Sequence, residues 1–379
     1  MLYRRMPNVE PALSILGAGC MRLPTREDGG IDEPHATRML RYAIDQGVNY
    51  VDTAWPYHGG ESEPLVGRAL RDGYRERVQV ATKLPTWLVH SRADMDRFLA
   101  LQLERLQTDH IDFYLVHALN GESWRGIAGM GVQQFLDDAL ADGRIRYAGF
   151  SFHGDLPSFR EIVDARRWSF CQVQYNFMDR QYQAGAEGIR YAAARGLGVI
   201  VMEPLRGGVL AREIPSVRTI YDRAPIHRSP ADWAHRWIWN DPDVHLLLSG
   251  FSAFEQAVEN IACAAEGHPG SLTALELALV DEVRGEYERR MRVPCTACGY
   301  CMPCPSGVNI PECLESFNIA HMYDQVDLAR GRYEFLCKGS PGTPEYASAC
   351  TECGACDAAC PQSIPVSARL KEVAELFGK

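Results

Sequence analysis

The chain has 379 residues, 39 Lys and Arg against 49 Asp and Glu, a formal net charge of −10 and 46% hydrophobic residues. This length suits a large core domain plus a small one, and the acidic balance argues against nucleic acid as a partner. No apolar run is long enough to span a bilayer, and residues 1–8 carry two arginines with no apolar signal core behind them, so a cytoplasmic protein without a membrane segment is expected.

Through the first 290 residues short apolar strands alternate with amphipathic helices. The expected strands are 14–17, 50–53, 78–83, 111–117, 147–151, 171–175, 198–203 and 244–249. Helical patterns occupy 34–46, 92–106, 156–166, 185–194 and 230–239, with Ser91, Asp155 and Ser229 as expected N-caps. Eight such units predict an α/β fold, a (β/α)8 TIM barrel of about 250 residues. A doubly wound sheet would want Gly-x-Gly-x-x-Gly after its first strand, and Leu16-Gly17-Ala18-Gly19-Cys20-Met21-Arg22 lacks the third glycine.

Chemistry in such barrels sits where strands end. Asp52, Tyr57, Lys83 and His117 fall at or just after the ends of three consecutive strands. A phenol has an ordinary pKa near 10, and a neighbouring ammonium favours phenolate and is expected to lower it. A carboxylate would hold the lysine, and a histidine would orient a substrate oxygen. Singly, each residue has a plainer role: helix cap, half-buried aromatic, solvated strand end, core histidine. Four together in barrel order outweigh those roles.

These residues stand in Asp52-Thr53-Ala54-Trp55-Pro56-Tyr57-His58-Gly59-Gly60-Glu61-Ser62-Glu63, Ala81-Thr82-Lys83 and Tyr114-Leu115-Val116-His117. The segments resemble the aldo-keto reductase signature, and the likeness covers residues 13–265. It implies Tyr57 as general acid, Lys83 as its tuner, Asp52 as the lysine's partner and His117 as substrate orienter. The implied reaction is reduction of a small-molecule carbonyl, or the reverse alcohol oxidation. The resemblance also implies NAD(P)H across the barrel mouth. Ser151 and Gln172 would hold the carboxamide, and Met202 stands where the family's stacking aromatic usually does. Pro204, Leu205, Gly207 and Gly208 would approach the pyrophosphate. Ser249, Gly250, Ser252, Gln256, Glu259 and Asn260 match the adenosine end. Basic residues that usually grip a 2′-phosphate are missing near Gly250-Phe251-Ser252, so NADH, NADPH and a flavin all stay open. Trp87 and Trp124 are candidate pocket walls, with His153 and Asn176 as further pocket candidates.

Beyond the barrel, Thr273-Ala274-Leu275-Glu276 reads as a capping box. Leu275, Leu279, Val283 and Tyr287 form one apolar stripe on the helix it opens, a closing helix that ends the first domain at about 290. The remaining 291–379 hold eight of the thirteen cysteines. Cys295, Cys298, Cys301 and Cys304 precede Pro305, and Cys350, Cys353, Cys356 and Cys360 precede Pro361. Three cysteines at two-residue spacing wrap one cubane cluster, and the fourth, before proline, serves the other. Two 4Fe-4S clusters are therefore expected, one on Cys295, Cys298, Cys301 and Cys360, the other on Cys350, Cys353, Cys356 and Cys304. Structural zinc normally takes paired C-x2-C elements, often with histidine, and fits less well. A disulfide scaffold fits worse in a long chain without a secretory signal.

The segment resembles the α-helical ferredoxin family over about 291–370, and the whole chain is similar to the iron–sulfur branch of the aldo-keto reductases. Hydride moves two electrons and each cubane one, so three expectations stand open: structural clusters, an electron route to an external ferredoxin or flavodoxin, or a flavin at the barrel mouth. The rivals are a flavin- or ferredoxin-coupled enzyme using the pocket without nicotinamide, and a non-catalytic electron carrier or docking protein. Cys20, Cys171 and Cys263 read as packing residues. Cys313 and Cys337 fall outside both motifs and take no role.

Overall fold

Parallel strands are buried on both faces when helices cover them, and near-continuous apolar strands are the sequence form of that burial. The computed structural model describes residues 1–378 apart from Thr296, Cys298, 340–343 and Pro361. Strands β1 (Tyr3–Arg4) and β2 (Leu13–Ser14) form a small antiparallel sheet. Eight parallel strands then close a barrel: β3 (Leu16–Gly19), β4 (Tyr50–Asp52), β5 (Gln79–Leu84), β6 (Ile111–Leu119), β7 (Ile145–Phe152), β8 (Phe170–Gln174), β9 (Gly198–Met202) and β10 (Leu246–Gly250). Pairing of β10 with β3 completes the circle. The first strand begins later than expected, because Leu13 and Ser14 pair with β1 instead.

The helices in chain order are α1 (Glu33–Asp45), α2 (Ser62–Ala69), α3 (Arg92–Leu106), α4 (Gly121–Gly129), α5 (Val132–Ala141), α6 (Leu156–Ala165), α7 (Gly185–Ala194), α8 (Pro215–Tyr221), α9 (Pro230–Trp239), α10 (Phe254–Cys263) and α11 (Ala274–Arg289). Asp155 and Ser229 cap α6 and α9 through the amides of Ser158 and Asp232. Ser91 does not cap α3; its hydroxyl donates to the Asp94 carboxylate instead. Thr273 and Glu276 make the expected reciprocal bonds. On α11, Leu279, Val283 and Tyr287 are buried, whereas Leu275 is 51% exposed and leaves the stripe.

The barrel interior is a packed core of Tyr50, Phe113, Phe170, Ile200 and Leu246, joined at one end by Met6, Val9 and Leu13. Phe113 meets Tyr50 and Phe170 edge-on, each with ring centroids 5.0 Å apart. Such pairs add about 0.5–1.5 kcal/mol beyond area burial. Trp124 is core as well, packed on Trp168, and is not a pocket wall.

The chain divides into two compact units: Met1–Ala211 with Arg228–Leu277, and Arg212–His227 with Ala278–Lys379. The second contains α12 (Ile310–Met322), α13 (Val326–Leu336), α14 (Ala355–Ala359) and α15 (Val366–Phe377). Asn318, buried on α12, donates to the Val293 carbonyl at 2.7 Å and accepts from the Arg292 and Val293 amides. The Tyr333 hydroxyl on α13 accepts from the Ala347 amide at 2.7 Å. These bonds of Asn318 and Tyr333 anchor the chain just ahead of each cysteine run. No helix among the described residues is long and apolar enough to cross a membrane.

His235 on α9 is fully buried, neither ring nitrogen has a hydrogen-bond partner among the described residues, and burial pushes its pKa down to about 3. Folding therefore excludes a proton that the unfolded chain binds below about pH 6.5, and this part of the stability is lost as pH falls from there toward 3. Between pH 7 and pH 5 the loss is about 2 kcal/mol, at 1.36 kcal/mol per pKa unit. His235→Leu should remove that part of the acid limb, read as urea midpoints by tryptophan fluorescence at the two pH values.

Candidate active site and cysteine-lined cavities

At the carboxyl ends of the barrel strands lies a cavity of about 260 Å³. Asp52 ends β4, Lys83 sits near the end of β5 and His117 lies late in β6. Tyr57 opens a tight turn after β4 in which His58, Gly59 and Gly60 all have positive φ. The two glycines supply this left-handed backbone at no steric cost. The His58 ring accepts from the Leu23 amide at 3.2 Å and so ties this turn to the segment after β3.

Lys83 has no solvent exposure. Its ammonium donates to Asp52 Oδ1 at 2.6 Å, to the Thr53 carbonyl at 2.8 Å and to the Tyr57 hydroxyl at 3.5 Å. All three ammonium hydrogens are thereby used. Burial opposes the charge on Lys83, but Asp52 outweighs it and the pKa stands above the ordinary value. Burial likewise pushes the Tyr57 phenol above its ordinary value, and Lys83 only pulls it partway back. The expected net lowering of the tyrosine is thus not found, because desolvation of a phenolate in this cavity exceeds the lysine's attraction. His117 is held well below its ordinary value by burial and then by Lys83, so its ring is neutral. Its Nδ1 has no partner among the described residues. The Trp87 ring lies 5.2 Å from the His117 ring.

The other wall of the cavity brings together Ser151, Gln172, Met202, Pro204, Leu205, Gly207, Gly208, Ser249 and Gly250. Ser151 Oγ accepts from the Ala118 amide at 2.8 Å where β6 shifts register. Gln172 donates weakly to the Met202 sulfur at 3.8 Å, and its Oε1 is buried without a partner. Gly207 and Gly208 have φ of 71° and 96°, which favours glycine. Ser252, Gln256, Glu259 and Asn260 do not line this cavity. Gln256 accepts from the Ser252 amide and hydroxyl, Glu259 is exposed, and Asn260 reaches the site only by donating to Ser249 Oγ at 3.1 Å.

Gly19, Met21, Arg22, His153, Glu203 and Leu248 complete the lining. Of these, sequence reasoning overlooked Gly19, Met21, Arg22, Glu203 and Leu248. Arg22 faces Glu203 at 3.9 Å, and Glu203 accepts from the Gly207 amide at 2.5 Å. The strand-end rule that found Asp52 applies equally to β3 and would have found Arg22. Cys20 is fully buried and packs, as expected.

In the second unit Cys295, Cys301 and Cys360 line one small cavity, and Cys304, Cys350, Cys353 and Cys356 line another, with Cys301 lining both. Cys298 lies outside the described residues. The two runs share a backbone as well as a spacing. Ala297 and Glu352 have φ of 51° and 53°, and Gly299 and Gly354 have φ of 78° and 72°. In each run an amide two residues on donates to the first cysteine's sulfur at 3.4 Å. Among the described residues no three His, Cys, Asp or Glu side chains converge as a single metal ion needs. Cys301, Cys304, Cys350, Cys353 and Cys356 gather around one small cavity instead, more thiols than the four a structural zinc ion takes.

The model of the aldo/keto reductase family matches residues 15–283, and that of a 4Fe-4S dicluster domain matches 294–364. Aldo-keto reductase YhdN of Bacillus subtilis is 35% identical over 55% of this chain and 64% of its own length. Aldo-keto reductase AFTS1 of Alternaria alternata is 27% identical over 59% of this chain and 69% of its own length. The chain thus spans about two thirds of the length of these relatives. The holo form of aldo-keto reductase AKR11C1 from Bacillus halodurans superposes with a TM-score of 0.63 at 27% identity, covering 74% of this chain and 96% of that one. With an eight-stranded parallel barrel and a family match across most of its length, the chain belongs to the aldo/keto reductase family and is an oxidoreductase.

Proposed function

We propose that the chain reduces a small-molecule carbonyl, or oxidises the corresponding alcohol, with Tyr57 as the proton donor. The observation that carries this is the buried Asp52–Lys83–Tyr57 chain beside a neutral His117. Tyr57 keeps its proton at neutral pH, as an acid must before the reaction. Charge developing on a substrate oxygen at Tyr57 would sit within reach of the Lys83 ammonium, which favours proton release in that direction. A neutral His117 imidazole orients the same oxygen by hydrogen bonding and adds no competing charge.

A nicotinamide, when bound, supplies hydride. The groups that fit it are Gln172, whose buried Oε1 lacks a partner, Ser151 and the Met202 thioether. The glycine pair 207–208 and the Arg22 guanidinium suit a pyrophosphate. NADH, NADPH and flavin content of anaerobically purified protein separates this reading from a flavin-dependent one.

The cysteine module is proposed to hold two 4Fe-4S clusters with crossed ligation, Cys295, Cys298, Cys301 and Cys360 on one, Cys350, Cys353, Cys356 and Cys304 on the other. The grouping of the described thiols around two separate cavities supports this. Single-electron exchange with an external ferredoxin or flavodoxin, in a reducing cytoplasm, is the role such clusters would serve.

Tyr57→Phe should lower kcat for aldehyde reduction by about 10²–10⁴-fold, the usual worth of a general acid, with nucleotide binding retained in fluorescence titrations. Full turnover in this variant would remove tyrosine from the mechanism. Lys83→Met should slow the reaction and move the alkaline limb of the kcat profile to higher pH, because the tyrosine loses the charge that pulls its pKa down. Iron analysis and electron paramagnetic resonance test the ligation. Cys295→Ala and Cys360→Ala should abolish the same signal, and Cys350→Ala and Cys304→Ala the other, each with loss of about half the iron.

A further inference from the structure

Cys313 and Cys337 belong to neither cysteine motif and line neither cavity. Cys313 lies in the second turn of α12, and Cys337 follows the last residue of α13. Both are fully buried, and their sulfurs are 3.9 Å apart. The backbone around them is doubly tied. Glu345 donates its amide to the Cys337 carbonyl at 2.9 Å, and its carbonyl accepts from the Asn309 amide at 3.0 Å and from Cys313 Sγ at 3.9 Å. A lone buried cysteine is a small apolar filler. Two in sulfur contact, held by converging helices, have a second chemistry open to them. Bond formation needs the sulfurs to close to about 2.05 Å, a shift within reach of side-chain rotation.

We propose that Cys313 and Cys337 are a peroxide-oxidisable dithiol whose disulfide staples α12 to the end of α13. The oxidant class is hydrogen peroxide, small enough for a buried pair. One thiolate sulfur attacks a peroxide oxygen, the O–O bond breaks, and the departing oxygen leaves as water after taking a proton. The resulting sulfenic acid is attacked by the second sulfur, the S–O bond breaks, and a second water leaves. Two thiols and one hydrogen peroxide become one disulfide and two waters. The staple acts on a helix that matters to both cysteine-lined cavities. Ile310 of α12 lines each of them, and Pro311 and Leu314 line the first. Oxidation would thus fix the shared wall of the module while leaving its candidate ligands untouched.

The test uses full-length, cluster-loaded protein purified without dioxygen. Limited hydrogen peroxide is added, thiols are alkylated in denaturant, and the digest is read by mass spectrometry, with iron measured on the same samples. The expected result is a 313–337 linked peptide pair, two hydrogens lighter than its reduced parts, present before iron falls and reversed by dithiothreitol. Recovery of both cysteines as alkylated thiols after oxidation would overturn the proposal. So would a linked pair that forms only after iron is lost.

Discussion

A lysine with no solvent exposure sets the terms for the barrel's catalytic end. Moving an ammonium out of water costs several kcal/mol, and only good geometry with full hydrogen bonding offsets it. Lys83 meets that condition with Asp52, the Thr53 carbonyl and the Tyr57 hydroxyl, so one side chain fixes the ends of β4, β5 and the turn after β4 together. A second buried network stands behind it. Glu63 accepts from Thr82 at 2.6 Å, from Gln102 at 2.7 Å and from Arg105 at 3.2 Å, and Gln102 also donates to the Lys83 carbonyl at 2.9 Å. Ser62 bonds the Thr53 hydroxyl at 2.8 Å. The motif around Ser62 and Glu63 therefore serves the lysine from behind, holding the backbone that aims it.

Much of this was legible before any coordinates, because strand ends are where an apolar run meets a residue that cannot join it. Asp52 and Lys83 interrupt such runs, and the spacing of the runs ordered them around the barrel. Helix limits were legible for a similar reason: Pro230 and the caps at Asp155 and Ser229 mark starts by backbone chemistry alone. What was not legible depends on distances between segments. Ser91 has the right residue type for a cap, but Asp94 competes for its hydroxyl. Leu275 has the right spacing for the stripe, but nothing covers the first turn of α11 enough to bury it. The balance at Tyr57 pitted burial against charge, and sequence supplies the charge while remaining silent on the burial.

The cysteine runs show the opposite case, where a local repeat carries most of the information. Matching residues adopt matching left-handed backbone, and matching amides point at matching sulfurs. A run of three cysteines can encircle one side of a cavity but cannot close it alone. Under the proposed crossed ligation the fourth thiol comes from the other run, and the lining agrees in that Cys360 lies at the first cavity and Cys304 at the second, with Cys301 at both. On that reading neither half of the repeat forms a whole site without the other.

Charge at the barrel mouth constrains what the pocket can hold. Asp52 and Lys83 cancel each other in the interior. At the rim Arg22 faces Glu203, whose carboxylate is also bound by the Gly207 amide. A nucleotide pyrophosphate would therefore meet one guanidinium already shared with a carboxylate, with backbone amides of a glycine turn as the other donors nearby. Surface pairs of this kind are worth about 0–1 kcal/mol, so Arg22 can leave Glu203 for a phosphate at small cost. The adenosine end offers no such cation. Residues 251–263 contain Glu255 and Glu259 but no Lys or Arg, and Arg38 nearby lies over the Phe254 ring. On the proposed reading of the pocket, a nicotinamide nucleotide would draw its affinity more from the groups around Gln172 and Met202 than from charge on a 2′-phosphate.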